Sequence, residues 1–100
     1  MEKVTAVSYT LKNDDGTWLG QIVLTSDGMF SAVTDWGNFA YAWRHTGMDS
    51  FTNFLVSLNV DYFANKMASG MSYVAYTKKV EKSCLRFAEK ILPVLQEKLK

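Results

Sequence analysis

The apolar residues of this chain change period near its middle, and that change constrains the fold more than any other feature. Residues 1–44 alternate apolar and polar side chains, whereas residues 49–100 repeat them at the 3.6-residue spacing of a helix. In the first part Thr5, Val7, Tyr9 and Leu11 alternate with Val4, Ala6, Ser8 and Thr10, and Asn13-Asp14-Asp15-Gly16 supplies a hairpin turn. Trp18 to Thr25 reads as a second strand, with Trp18, Ile22 and Leu24 expected on one face and Leu19 and Val23 on the other. Ser26-Asp27-Gly28 turns the chain into a third strand, Met29 to Thr34, and Asp35-Trp36-Gly37-Asn38 turns it into a fourth. There Phe39, Tyr41 and Trp43 point one way, Ala40 and Ala42 the other. Connections this short force neighbouring strands to pair antiparallel in the order 1-2-3-4.

A meander with one aromatic face needs a cover, and the second part supplies it. Asp49 or Ser50 is placed to cap a helix carrying Phe51, Phe54, Leu55 and Leu58 on one side. Asn59 is placed to cap another with Val60, Phe63, Ala64 and Met67, ending at Ser69-Gly70. The last helix starts between Ser72 and Lys78. Its apolar arc is Tyr76, Val80, Cys84, Phe87, Ala88, Ile91, Leu92, Val94, Leu95 and Leu99. Pro93 interrupts the hydrogen-bond ladder without interrupting the arc, which predicts a kink rather than a stop. The expected class is therefore α+β: a four-stranded antiparallel meander with three helices packed on one face, the C-terminal helix longest. One domain, 1–100, is expected, with the meander in 1–44 and the helical layer in 49–100. At 100 residues and 48% hydrophobic the chain has enough apolar material for one core and too little for two.

Reactive side chains are scarce. Cys84 is the one cysteine, which excludes an internal disulfide, and its place in the apolar arc reads as a buried hydrophobe. His45, the one histidine, follows the fourth strand in a Gly-containing loop with no nucleophile pattern nearby. No His, Cys or carboxylate set has metal-ligand spacing, and no Gly-rich loop precedes a helix. The expectation is a protein without catalytic residues, metal or cofactor. Met1-Glu2-Lys3-Val4 opens no signal peptide and no run of apolar residues is long enough to span a bilayer, so a cytoplasmic protein without membrane contact is expected.

Charge is unevenly spread. The formal total is +1 at pH 7, but residues 1–70 carry a balance of −3 and residues 71–100 one of +4. On the last helix Lys79, Lys82, Arg86 and Lys90 fall within an arc of about 80°, opposite the apolar side. Like charges at i, i+4 weaken an isolated helix slightly, so helix stability alone does not account for the stripe. It reads either as a solvated face or as a docking ridge for phosphate or an acidic protein, and it lacks the aromatic platform of a single-strand binder. Trp36 at a hairpin tip is either a binding anchor or a residue folded back over the sheet edge. Arg44 either pairs with Asp35 or Asp49 or contacts an anion directly.

The runs Asp35-Trp36-Gly37-Asn38-Phe39-Ala40-Tyr41-Ala42-Trp43, Phe51-Thr52-Asn53-Phe54-Leu55 and Asp61-Tyr62-Phe63-Ala64-Asn65-Lys66-Met67 also carry a resemblance. Over residues 17–75 the chain resembles small uncharacterised proteins of tailed bacteriophages and prophages. These share an aromatic-Gly-Asn-aromatic turn, a strand ending in Trp, a Phe-x-x-Phe-Leu helix and an Asp-Tyr-x-x-x-Lys segment. Trp36 stands where the resemblance leads one to expect Tyr. It brings no catalytic residues and implies a bacterial host cytoplasm as the setting. In that setting a small domain without a reaction centre is expected to act by binding a host or phage protein. Inhibition of a host defence or nucleic-acid-processing complex, anti-CRISPR action included, is the first expectation, with Trp36, Arg44, Lys79, Lys82, Arg86 and Lys90 as partner-binding residues. The alternatives are an accessory nucleic-acid-binding protein contacting its ligand weakly through the C-terminal helix, and a self-associating domain, such as a homodimer, joined through two unprotected sheet edges.

Overall fold

The computed structural model describes residue 1 and residues 3–48, 50–70 and 78–100. Four strands, β1 (Ala6–Lys12), β2 (Trp18–Thr25), β3 (Met29–Thr34) and β4 (Gly37–Ala42), are followed by α1 (Phe51–Val56), α2 (Val60–Gly70) and α3 (Lys78–Leu99). The sheet is antiparallel in the order β1-β2-β3-β4 and α3 is the longest element, as the hairpin spacing and the long apolar arc predict.

One face of the sheet supplies Leu11, Ile22, Leu24, Phe30, Ala32 and Phe39 to a core completed by Leu55, Phe63, Met67, Phe87, Ile91 and Leu95 of the helices. Aromatic rings join the layers. Phe39 stacks on Phe87 with centroids 4.0 Å apart, and Phe30 meets Phe63 edge-on at 5.2 Å. Trp43 lies beneath Phe51, Phe54 and Phe63 and donates its indole N–H to the Tyr62 hydroxyl at 3.2 Å.

The expected faces of β2 need one correction. Leu11 pairs with Gly20 and Lys12 with Trp18, so β2 carries an extra residue, Leu19, at a bulge. The bulge resets the alternation: Leu19 enters the core at 4% exposure, and Trp18 stands 41% exposed rather than beside Ile22 and Leu24. A short apolar run fixes period but not where one residue is inserted.

The helix ends follow their capping residues. The Ser50 hydroxyl accepts from the Asn53 N–H, and the Asn59 side chain accepts from the Tyr62 N–H at 2.8 Å. Asp49, the other expected cap, lies outside the described residues, as do Tyr76 and the stretch 71–77 before α3. The helix α3 runs on through Pro93, which is exposed. Its missing donor thus frees a carbonyl on the solvent side, where water can reach it. Gly28 has φ +96°, and a Cβ there would lie 2.2 Å from the Trp43 carbonyl oxygen. Glycine lets the β2–β3 turn touch the end of β4, where the Trp43 N–H donates to the Gly28 carbonyl at 2.8 Å.

Candidate binding groove between the β3–β4 turn and α3

The β3–β4 connection is a two-residue turn, Asp35-Trp36, closed by the pair Thr34 and Gly37. Thr34 is buried, and its hydroxyl does two tasks: it accepts from the Trp36 N–H at 3.1 Å and donates to the Gly37 carbonyl at 2.9 Å. Gly37 takes φ +129°, a conformation L side chains rarely adopt. The turn is thereby fixed, and Trp36 with it. Its ring is half-buried, packs against the core, and lines a groove on the other side. Trp36 is therefore folded back on the core with one side of its ring left accessible.

The groove has a volume of about 410 Å³ and is lined by Trp36, Lys78, Lys79, Lys82, Ser83 and Arg86. Because α3 buries Cys84, Phe87, Ala88, Ile91 and Leu92, its opposite side must face outward, and the β3–β4 turn stands beside that side. The tryptophan at the hairpin tip and the basic stripe, 42 residues apart in the chain from Trp36 to Lys78, are thus walls of one depression. Among the described residues none of the four cations lies within 4.0 Å of a carboxylate, and the Trp36 indole N–H makes no hydrogen bond. Asp35 is exposed and does not line the groove, while Glu81 lines a separate depression on the α2 side of α3 with Asp61. Glu81 of α3 thus lies away from the groove, on the side that faces α2.

The other expected binding residues sit elsewhere. Arg44 pairs with Asp27 of the β2–β3 turn at 3.7 Å, neither with Asp35 nor toward the groove, while Asp49, the other expected partner, lies outside the described residues. The close approach at Gly28 brings that turn to the end of β4, which the strand pattern alone does not reveal. Lys90 is exposed one turn beyond Arg86 and does not line the groove. Lys78 and Ser83 are lining residues that the stripe alone did not single out; Lys78 lies about 40° from Lys82 on the helical projection, so the arc could have included it.

A larger concavity, about 480 Å³, lies on the uncovered sheet face along Gln21, Val23, Ser31, Val33, Asn38 and Ala40. It holds no titratable group. Burial pushes the Cys84 thiol above its ordinary value of 9.0, which disfavours the nucleophilic thiolate. Asp15 is held below the usual carboxylate range because it accepts from the Thr17 hydroxyl and N–H, which fixes the β1–β2 turn. Among the described residues no three His, Cys, Asp or Glu side chains cluster as a metal site would require, and no helix is long and apolar enough to cross a membrane.

No curated protein and no solved structure matches the chain. The Phage_phiTE_072 profile, described as a phage family, matches residues 1–84. The match takes in the whole sheet, α1, α2 and the first turns of α3, and so Trp36, Lys78, Lys79 and Lys82 of the groove but not Arg86. A match over this much of the chain assigns the family: the protein belongs to the Phage_phiTE_072 family of phage proteins.

Proposed function

We propose that this phage protein works by binding, without a catalytic step of its own, and that it docks through the Trp36–α3 groove onto a host complex that handles nucleic acid. Defence complexes that cut invading DNA, CRISPR effectors among them, are the targets such a surface suits in the host cytoplasm. The observation that carries this reading is the convergence, in one groove, of one anchored tryptophan and four cations that have no carboxylate partner among the described residues. Clustered positive charge beside a fixed aromatic ring is the composition of an interaction hot spot for an anionic partner. The charges are also concentrated rather than spread, because the chain's total is only +1.

The test compares wild type with a Lys82→Glu, Arg86→Glu double variant, both sites being exposed and outside the core. Plaque formation by a targeted phage on a host carrying an active CRISPR effector is measured with each protein supplied from a plasmid. Wild type should raise plaquing, the double variant should not, and the purified effector should be retained by the first and not the second. Equal plaquing and equal retention by the two proteins would overturn the reading.

A further inference from the structure

We infer that what the Trp36–α3 groove takes of such a complex is its single-stranded nucleic acid, with an unstacked base against the Trp36 ring and successive phosphates along Lys78, Lys82 and Arg86. This rests on the proposal that the groove is the docking surface. Three features of the groove select this class of ligand over an acidic protein or a duplex. First, Lys78, Lys82 and Arg86 follow each other at four-residue steps, about 6 Å along the helix axis, which matches a regular line of charges such as a sugar–phosphate chain offers. Second, an aromatic ring beside a cationic track is what single-strand grooves use to hold bases without reading their sequence, and Trp36 is rigid here because Thr34 and the core fix it. Its indole N–H, with no partner among the described residues, adds a donor for a phosphate or a base carbonyl. Third, the cationic side of α3 lies along a groove walled by the β3–β4 turn, whereas a helix that reads duplex DNA must project into the major groove.

The experiment uses fluorescence anisotropy of an end-labelled oligothymidylate of about 12 nucleotides with the full chain, beside a duplex of equal length and a labelled polyglutamate. The oligothymidylate should bind in preference to both. With about four phosphates neutralised, log K should fall against log salt with a slope near −3. Trp36→Ala should weaken binding about 5- to 150-fold, with Trp36→Phe recovering most of it, and should leave the salt slope nearly unchanged. Lys82→Glu with Arg86→Glu should weaken binding and flatten the slope, and since neither residue is in the core this arm holds even if Trp36→Ala unfolds the chain. Binding of polyglutamate in preference to the oligonucleotide, or of duplex as tightly as single strand, would overturn this inference while leaving the groove as a docking surface. Failure to bind the oligothymidylate overturns it as well. Only if groove variants also leave plaquing and effector retention unchanged does the proposed function fall with it.

Discussion

Thr34 shows how one hydroxyl fixes a turn. Among the described residues it is the one buried polar side chain, and it ties β3 to the turn and to β4, accepting from Trp36 and donating to Gly37. Thr34→Val keeps the shape and removes both bonds, which leaves a part-buried N–H and carbonyl without partners. Such a loss costs about 1–3 kcal/mol, and Thr34→Ser should recover most of it because the hydroxyl returns. Urea unfolding of the three proteins checks this; equal midpoints for Val and Ser would show that the methyl, not the hydroxyl, matters. Cys84 makes a second residue-scale prediction. Its thiol is raised by burial, so the folded state keeps a proton that the unfolded chain releases as pH passes the ordinary value of 9.0. Stability attributable to this group is intact below that value and falls as pH rises through it. Between about pH 8 and 10 the wild type should therefore lose more stability than Cys84→Ala, measured by denaturant midpoint at each pH. Parallel curves for the two proteins would contradict the burial argument.

Between elements, the least legible contact in the sequence is the one α3 makes with the end of α1. Gln96 lies on α3 near its apolar arc, and its side-chain amide nitrogen sits 3.0, 3.1 and 2.8 Å from the carbonyls of Leu55, Val56 and Leu58. A six-residue helix ends there, and a side chain about 40 residues on supplies donors for its terminal carbonyls. Helix periodicity marks Gln96 only as a polar residue beside apolar ones; its partner depends on how two helices dock. Gln96→Glu places a carboxylate against those carbonyls, so at neutral pH it should cost at least the 1–3 kcal/mol typical of unsatisfied buried groups, roughly as Gln96→Leu does. The new carboxyl would titrate above the usual carboxylate range, because only its protonated form can donate. The stability lost in Gln96→Glu should then return in part as pH falls through that raised value, while Gln96→Leu shows no such recovery. Parallel pH dependence in the two variants would refute the assignment. The same gap between local pattern and tertiary contact explains the other differences. Strand number, order and core face follow from alternation and turn residues such as Asp15-Gly16. The Leu19 bulge, the Arg44–Asp27 pair and the meeting of Trp36 with α3 depend on insertion and docking geometry that no local period encodes.

At the scale of the molecule, the groove exists only while both layers hold together, so the proposed docking is tied to how cooperatively the chain unfolds. One wall, Trp36, belongs to the sheet and the other to α3, and the core beneath them draws on all four strands and all three helices. Phe87 of α3 touches Phe30, Phe39 and Phe63 at centroid distances of 6.4, 4.0 and 6.0 Å, which couples β3, β4, α2 and α3 through a single ring. An α3 that detached would expose Phe87, Ile91, Leu92 and Leu95 together with the sheet face they cover, a penalty far above the few kcal/mol that local opening costs elsewhere. Sheet and helical layer should therefore melt as one unit despite their segregation in the sequence. Helix content by far-ultraviolet circular dichroism and tryptophan emission, which sums Trp18, Trp36 and the interlayer Trp43, should give superimposable urea transitions. Calorimetry should return a van't Hoff enthalpy equal to the calorimetric one, on the order of 60–80 kcal/mol for a chain of this length. Loss of helix signal ahead of tryptophan signal would mean that α3 unfolds alone. The groove would then be a feature that opens and closes under native conditions, and its ligand would bind the closed form with a conformational cost that Phe87→Leu should raise.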